Sequence, residues 1–140
     1  MRSILRRDGL DGAVEIDSAG TGAWHLGDPP DERSTEAARA RGIVMEGAAR
    51  QVTAADFEHY DLLLAADAQN AAALRAAAPD EQAASKVRLL REYDRAALAA
   101  GDLDVPDPYY GGPDGFERVL DLVEAACEGL VATLRAEGRV

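Results

Sequence analysis

The chain has 140 residues, of which 47% are hydrophobic and 29% are charged, and its formal net charge is −11. These values predict one compact domain with a single core and exclude an intrinsically disordered chain. The acidic balance argues against nucleic-acid binding, which relies on lysine and arginine side chains, and no apolar run approaches the roughly 20 residues that span a bilayer. We therefore expect a soluble cytoplasmic protein without nucleic-acid or membrane partners.

Strands and helices are predicted to alternate along the chain. Val14 and Ile16 alternate with polar residues, as on a half-buried strand, whereas the apolar run over residues 62–66 has the length of a parallel strand covered on both faces. In chain order, the predicted elements are a helix over residues 1–7, a strand over 13–18, a loop over 19–31, a helix over 33–41, a short helix after Thr53, a strand over 62–66, a helix over 68–78, a strand over 87–90, a loop to Gly112 and a helix over 113–137. This order predicts an α/β domain with a parallel sheet.

The last predicted helix carries an apolar stripe whose members recur at steps of three and four. Cys127 lies in the middle of this stripe, where a thiol behaves as a small hydrophobe with a raised pKa, so we expect a structural residue. The alternative, a nucleophile, has no supporting residue nearby. The stripe comprises Phe116, Val119, Leu120, Val123, Cys127, Leu130, Val131 and Leu134. A single cysteine also excludes an intramolecular disulfide, and His25 and His59 are too few and too scattered for a zinc motif.

The loop before the last helix contains the strongest candidate for chemistry. Asp107 lies between Pro106 and Pro108 and is followed by Tyr109 and Tyr110. The prolines fix backbone torsions, and the phenol rings partly desolvate the carboxyl group, which raises its pKa. A general acid that holds a proton near neutral pH needs these properties. The alternative is a turn with an exposed aspartate, because Asp and Pro are common turn residues.

Several motifs occur in the order and spacing of one known family. They are EIDSAGTGAWHLGDPPD at residues 15–31, RQVT at 50–53 with Asp56 and Phe57, YDLLLAAD at 60–67, KVRLL at 86–90, and DPYYGG at 107–112 followed by FERVLDLVEAA. Over nearly all of its length, the chain resembles the low-molecular-weight protein tyrosine phosphatases. The resemblance implies one domain over residues 1–140 with a three-layer, flavodoxin-like fold, in which helices flank a parallel sheet.

The resemblance also implies roles for five residues. Asp107 corresponds to the general acid that protonates the leaving tyrosyl oxygen, and Tyr109 and Tyr110 correspond to aromatic residues beside the active-site cleft. Trp24 falls in the loop that forms the opposite wall of the cleft, the alternative being core packing. Ser18 corresponds to a serine that hydrogen-bonds the phosphate-binding loop, the alternative being an ordinary serine at a strand end.

The activity implied is hydrolysis of phosphotyrosine, in a protein or as a small aryl phosphate, through a cysteinyl-phosphate intermediate. The resemblance implies neither a metal nor an organic cofactor. Two alternatives remain open. Arsenate reductases share the fold and the cysteine loop, although they usually depend on further cysteines, and a catalytically dead module could bind phosphoproteins through the same aromatic cleft.

The chain departs from the family pattern at two points. The family begins with a strand that runs into a C-x5-R-[ST] loop, whose cysteine is the nucleophile and whose arginine binds the phosphate. No C-x5-R occurs in the sequence, because the residue six positions after Cys127 is Thr133. The histidine that usually precedes the Arg-Gln pair is also absent, since residues 47–49 are Gly-Ala-Ala.

From the missing loop we expect a domain truncated at its amino terminus and inactive as printed, with residues 1–7 in the helix that follows the loop. The absent strand would lie between the strands over 13–18 and 62–66 in a four-stranded sheet, so both would lose a partner. Each unpaired buried amide or carbonyl costs about 1–3 kcal/mol, which predicts marginal stability.

Overall fold

Two parallel strands form the sheet in the described part of the chain. Strand β1 (Leu63–Ala65) pairs with β2 (Val87–Leu89), with Leu63 opposite Val87 and Ala65 opposite Leu89. The structure is a computed structural model, and it describes residues 1–22, 27–43, 45, 48–106 and 114–140.

Helices flank this sheet and connect its strands, which gives the predicted α/β fold. They are α1 (Arg2–Arg7), α2 (Glu32–Ala40), α3 (Ala54–His59), α4 (Ala68–Ala77), α5 (Glu81–Ala84), the 3-10 helix Leu90–Tyr93, α6 (Arg95–Ala100) and α7 (Gly115–Ala136). The side chains of Asp31, Asp67 and Asp80 each accept a hydrogen bond from a backbone N–H at the start of the following helix, which satisfies donors that have no partner inside the helix. None of the helices in the described ranges combines the length and the apolar character that a membrane span requires.

The buried side chains form two clusters. The first joins the sheet to α3, α4 and α5, and it comprises Phe57, Leu63, Ala65, Ala71, Ala83 and Val87. The second joins α1 to α7, and it comprises Ile4, Leu5, Cys127 and Val131. At the edge of the second cluster, Arg7 Nη2 donates a hydrogen bond to Glu128 Oε2 at 2.9 Å. Helix α7 thus packs against α1, although the two helices lie far apart in the sequence.

Helix α7 also packs very closely against the 3-10 helix, and a glycine makes this approach possible. A Cβ atom added to Gly129 would lie 1.8 Å from the carbonyl oxygen of Tyr93. No side chain larger than hydrogen fits between the two backbones at this separation. The sequence pattern does not reveal this constraint, because Gly129 lies inside a helix.

Most of the predicted elements are confirmed. The helices predicted over 1–7, 33–41, 68–78 and 113–137 correspond to α1, α2, α4 and α7, and the strands predicted over 62–66 and 87–90 correspond to β1 and β2. Thr53 begins α3 as expected, with its N–H donating to the Asp56 carboxylate at 2.8 Å. The apolar stripe of α7 is buried or half-buried along its length.

The strand predicted over residues 13–18 is wrong, because the structure has no hydrogen-bonded strand there. The alternation that suggested it is real: Val14 and Ile16 are half-buried against the second cluster, whereas Glu15 and Asp17 are exposed. A strand needs a neighbouring backbone for its ladder of hydrogen bonds. Among the described residues, the nearest such pairing is the isolated parallel bridge between Gly20 and Gln51.

The prediction of a loop from the strand over residues 87–90 to Gly112 is partly wrong, because this stretch contains the 3-10 helix and α6. Asp94 begins α6 by accepting hydrogen bonds from the N–H groups of Ala96 and Ala97, and Gly101 ends it with a φ of 70°. The sequence of α6 is rich in alanine, and it lacks the apolar periodicity by which an amphipathic helix is recognised.

Candidate active site

The structure describes one of the five predicted site residues. Ser18 lies at the exposed end of the extended segment over residues 13–18. Trp24, Asp107, Tyr109 and Tyr110 lie outside the described residues, so their roles stay predictions. The segments that lead to these residues are described, and they can be followed to one end of the sheet.

A chain of charged side chains connects Ser18 to α3. The Ser18 N–H donates to Asp17 Oδ1 at 2.8 Å, and Arg50 Nε donates to Asp17 Oδ2 at 3.0 Å. The other two nitrogens of Arg50 donate to the two oxygens of Asp56 at 3.0 Å each. Asp56 is buried at the start of α3, where it also accepts the Thr53 N–H. The backbone at Ser18 is therefore held against α3 by one arginine.

The same arrangement keeps both aspartates ionised. The bidentate hydrogen bond from Arg50 is the main cause that lowers the pKa of Asp56, and the N–H of Thr53 lowers it further. The pKa of Asp17 is lowered mainly by the backbone N–H of Ser18 and then by the charge of Arg50. The two carboxylates and the guanidinium thus form a charged network beside Ser18.

The segment after Ser18 runs towards the amino terminus of α4. Gly20 pairs with the backbone of residues 50–52, since its N–H donates to the Arg50 carbonyl at 2.8 Å and its carbonyl accepts from the Val52 N–H at 2.9 Å. Thr21 Oγ1 lies 3.4 Å from Asn70 Oδ1 in the first turn of α4. The loop that continues to Trp24 therefore starts beside α4.

The segment that leads to Asp107 reaches the same place from the other side. The Val105 N–H donates to the Ala66 carbonyl at 2.7 Å, directly after β1. Asp104 Oδ1 accepts the Ala68 N–H at 2.9 Å, at the first residue of α4. Both loops thus start at the carboxyl end of β1, and this edge of a parallel sheet is where α/β proteins commonly bind ligands.

An open groove lies alongside β1, with a volume of about 550 Å³. The extended segment over residues 13–19 forms one side, and residues 62–64 around β1 form the other. Its wall is largely apolar and includes Val123, Leu130 and Leu134 of α7. The groove therefore separates the extended segment from β1.

Cys127 lies in the wall of the groove but is itself buried, with 4% of its surface exposed. Burial raises the pKa of its thiol, as the sequence predicted. A protonated, enclosed thiol is a poor nucleophile. In the part of the chain that the structure describes, no group of three or more His, Cys, Asp or Glu side chains could hold a metal ion.

Sequence reasoning did not identify the network around Arg50. The sequence motifs include Arg50 and Asp56, and the spacing of Asp56 from Thr53 predicts the start of α3, but no motif indicates the ion pair between Arg50 and Asp56 or the role of Asp17. Neither residue spacing nor residue type indicates that one arginine bridges residues 17 and 56, because the contact depends on how the extended segment lies across the start of α3.

Comparison with known proteins gives consistent matches over the whole chain. A family model described as low molecular weight phosphotyrosine protein phosphatase matches residues 1–140. The chain is 53% identical over 140 residues to a low molecular weight protein-tyrosine-phosphatase of Streptomyces coelicolor, and the match covers 99% of this chain and 85% of that protein. It is 40% identical over 137 residues to the protein-tyrosine-phosphatase YfkJ of Bacillus subtilis, with 97% and 84% covered.

Solved structures of such proteins are also similar. A protein tyrosine phosphatase from Entamoeba histolytica, crystallised with Hepes in the active site, matches with a TM-score of 0.89 and 33% identity, covering 99% of this chain and 86% of that one. The crystal structure of YfkJ from Bacillus subtilis matches with a TM-score of 0.86 and 39% identity, covering 97% and 82%.

Proposed function

Because the chain belongs to the low molecular weight phosphotyrosine protein phosphatase family, we propose that its fold serves the hydrolysis of phosphotyrosine in proteins or of small aryl phosphates. The observation that carries the proposal is the approach of two loops to one edge of the sheet. The segment after Ser18 and the segment before Asp107 both contact the backbone or side chains around the start of α4.

In the proposed reaction, a cysteine thiolate attacks phosphorus and forms a cysteinyl-phosphate, while Asp107 protonates the leaving phenolate oxygen. Asp107 then removes a proton from the water that hydrolyses the intermediate. Trp24, Tyr109 and Tyr110 contact the aromatic ring of the substrate, and Ser18 hydrogen-bonds the phosphate-binding loop. No step needs a metal ion or an organic cofactor.

The nucleophile is the part that the printed sequence does not supply. Cys127 is the only cysteine, it is buried, and no arginine stands six positions after it. We propose that the C-x5-R loop comes from outside these 140 residues, so that residues 1–140 alone do not hydrolyse phosphate esters. The groove between residues 13–19 and 62–64 supports this, because it lies where the family resemblance implies a strand leading into that loop.

The test is to join residues 1–140 to the amino-terminal segment of the Streptomyces coelicolor relative, which by family resemblance carries the C-x5-R loop. The fused protein should hydrolyse phosphotyrosine and p-nitrophenyl phosphate, whereas residues 1–140 should match the buffer blank. A folded but inactive fusion would contradict the proposal. Activity of residues 1–140 that persists in Cys127→Ser would contradict the proposal that the nucleophile comes from outside these 140 residues.

Asp107→Asn in the fused protein tests the role of the acid. It should lower kcat for phosphotyrosine by about 10²–10⁴-fold, with a smaller loss for aryl phosphates of acidic phenols, which leave without protonation. KM should change little, because the loop and not Asp107 holds the phosphate. An equal loss for all leaving groups would indicate a structural role for the Pro-Asp-Pro turn.

The absence of a C-x5-R motif in the printed residues favours a second candidate function, a catalytically dead module that binds phosphoproteins. Titration of residues 1–140 with a phosphotyrosine peptide, using the unphosphorylated peptide as a control, separates the two. Binding that needs the phosphate but occurs without the loop would favour the module.

A further inference from the structure

The 3-10 helix after β2 carries a buried arginine with an unusual set of contacts. Arg91 is 4% exposed. Its Nη1 donates a hydrogen bond to the carbonyl oxygen of Asp104 at 2.7 Å and lies 3.2 Å from Asp102 Oδ2. Its Nε is buried and has no hydrogen-bond partner among the described residues. Within the described part of the chain, Arg91 makes its polar contacts with one short segment, residues 102–104.

A contribution to the stability of the folded protein does not by itself explain why Arg91 is buried. Burying a guanidinium group is costly unless all of its donors are paired, and Nε has no partner among the residues that the structure describes. The only carboxylate that contacts Arg91 within the described ranges is that of Asp102, which is 59% exposed and therefore screened by water. An apolar side chain of similar volume at such a position often leaves a protein as stable or makes it more stable.

The contact does fix the position of a backbone. Asp104 is held by Arg91 through its carbonyl and by the first N–H of α4 through its carboxylate, and the next residue, Val105, bonds to the Ala66 carbonyl. These hydrogen bonds attach two successive residues to the 3-10 helix, to the start of α4 and to the residue that follows β1. Pro106 and Asp107 follow directly in the sequence.

We propose that Arg91 is a positioning residue, which holds the segment over residues 102–105 against the end of β1 and thereby sets the point from which the chain enters the loop of Asp107. The inference rests on the proposed function, because it assigns the positioning to the proposed general acid. Arg91 does not touch the substrate in this proposal. It acts through the backbone at Asp104.

The first test uses residues 1–140 and does not depend on activity. Amide hydrogen exchange is followed by NMR in the unmodified chain, in Arg91→Met and in Arg41→Met, which removes a different arginine that contacts the α7 carboxylates of Glu117, Asp121 and Glu124. The Val105 amide reports the local segment. The Leu63 amide, which donates to the Lys86 carbonyl at 3.0 Å, reports the sheet.

In Arg91→Met, the Val105 amide should exchange on the order of tenfold faster, while Leu63 changes by less than about twofold. In Arg41→Met, the ratio of the two rates should stay as in the unmodified chain. Arg91→Lys should partly restore protection, because an ammonium group can donate to the Asp104 carbonyl. Unchanged exchange at Val105, or an equal increase at Val105 and Leu63, would overturn the proposal.

The second test uses the active fusion. Arg91→Met should lower kcat for phosphotyrosine about tenfold and leave hydrolysis of an aryl phosphate with an acidic phenol less affected, with little change in KM. A uniform loss for both substrates would overturn the link to Asp107. If the fusion itself is inactive, the proposed function fails, and the exchange experiment still decides whether Arg91 holds the segment.

Discussion

Arg50 illustrates how one side chain joins parts of the chain that lie far apart in the sequence. Its guanidinium group binds Asp56 with two parallel hydrogen bonds and Asp17 with a third. Arginine is suited to this because its planar donors match the geometry of a carboxylate, which a lysine ammonium group does not. Loss of Arg50 would release the backbone at Ser18 as well as the start of α3.

The network predicts how stability depends on pH. The hydrogen bond from Arg50 lowers the pKa of Asp56 below its ordinary value of 3.8, so the folded state favours the ionised carboxylate. This stabilisation is complete above the ordinary value, and it is lost as the pH falls through 3.8 towards the lowered pKa of the folded state. The free energy of unfolding should therefore decrease on acidification through this window.

Asp56→Asn tests this contribution. At neutral pH the substitution should lower the free energy of unfolding by about 1–3 kcal/mol, because it removes a charged acceptor that is mostly buried. It should also flatten the decrease as the pH falls through 3.8, whereas Asp11→Asn at an exposed position should leave the free energy of unfolding at neutral pH unchanged. Urea unfolding at several pH values measures both effects. An Asp56→Asn protein whose stability falls as steeply with acid as the parent would contradict the assignment.

Among the elements, the contact between α7 and the 3-10 helix constrains the sequence most strictly. Gly129 costs helix stability, because glycine is about 1 kcal/mol less favourable than alanine inside a helix. Its presence is explained by the Tyr93 carbonyl, which would lie 1.8 Å from an added Cβ atom. Close packing of two backbones therefore outweighs helix propensity at this position.

Gly129→Ala should destabilise the fold despite the better helix propensity of alanine. The methyl group must displace a backbone, and overpacking of this kind costs about 1–3 kcal/mol or more. The matched control is Ala125→Gly at an exposed position of α7, which should cost about 1 kcal/mol through propensity alone. Chemical denaturation compares the two. A Gly129→Ala protein of unchanged or increased stability would show that the two elements do not approach so closely.

The elements also show which features a sequence can reveal. The run over residues 62–66 predicts a buried strand because its apolar character is local, and the spacing of the apolar residues of α7 predicts their buried stripe. The segment over residues 13–18 has the same kind of local signal, but whether it forms a strand depends on a neighbouring backbone. Helix α6 is not predicted because its residues carry no periodic apolar pattern. In the structure, Asp94 caps its start and Gly101 ends it.

The candidate site was predictable to a similar extent. Family motifs identified Ser18 and the segments that lead to Trp24 and Asp107, and the structure brings those segments to one edge of the sheet. The side chains that hold them, Arg50 and Arg91, were not assigned. Both act through contacts with distant segments, and such contacts follow from the fold and not from residue spacing.

At the scale of the whole molecule, the groove leaves a gap beside the sheet. It leaves the extended segment over residues 13–19 separated from β1, although apolar residues line both sides. Apolar surface that is exposed to water in a groove contributes nothing to stability, and filling it would be favourable. The groove thus lowers the stability of the isolated 140 residues.

Fusion to the amino-terminal segment of the relative should therefore stabilise the protein. Burial of even two apolar side chains, at about 1.5–3 kcal/mol each, should raise the free energy of unfolding by at least about 3 kcal/mol. The control is a fusion to the same segment with its sequence scrambled, which cannot fill the groove in register. Thermal and urea unfolding measure the difference. Equal stability of the two fusions would mean that the groove does not receive the segment.

The contact between α1 and α7 has a consequence for biosynthesis. Arg7 and Glu128 are 121 positions apart, so the apolar side chains of Ile4 and Leu5 cannot pack against Cys127 and Val131 until α7 has left the ribosome. At about 5–20 residues per second, this delay is roughly 6–24 s. A helix of six residues is too short to be stable by itself in water during this delay. Helix α1 therefore stays incompletely packed and accessible to chaperones until α7 has been made, so the two helices complete their folding together although α1 is synthesised first.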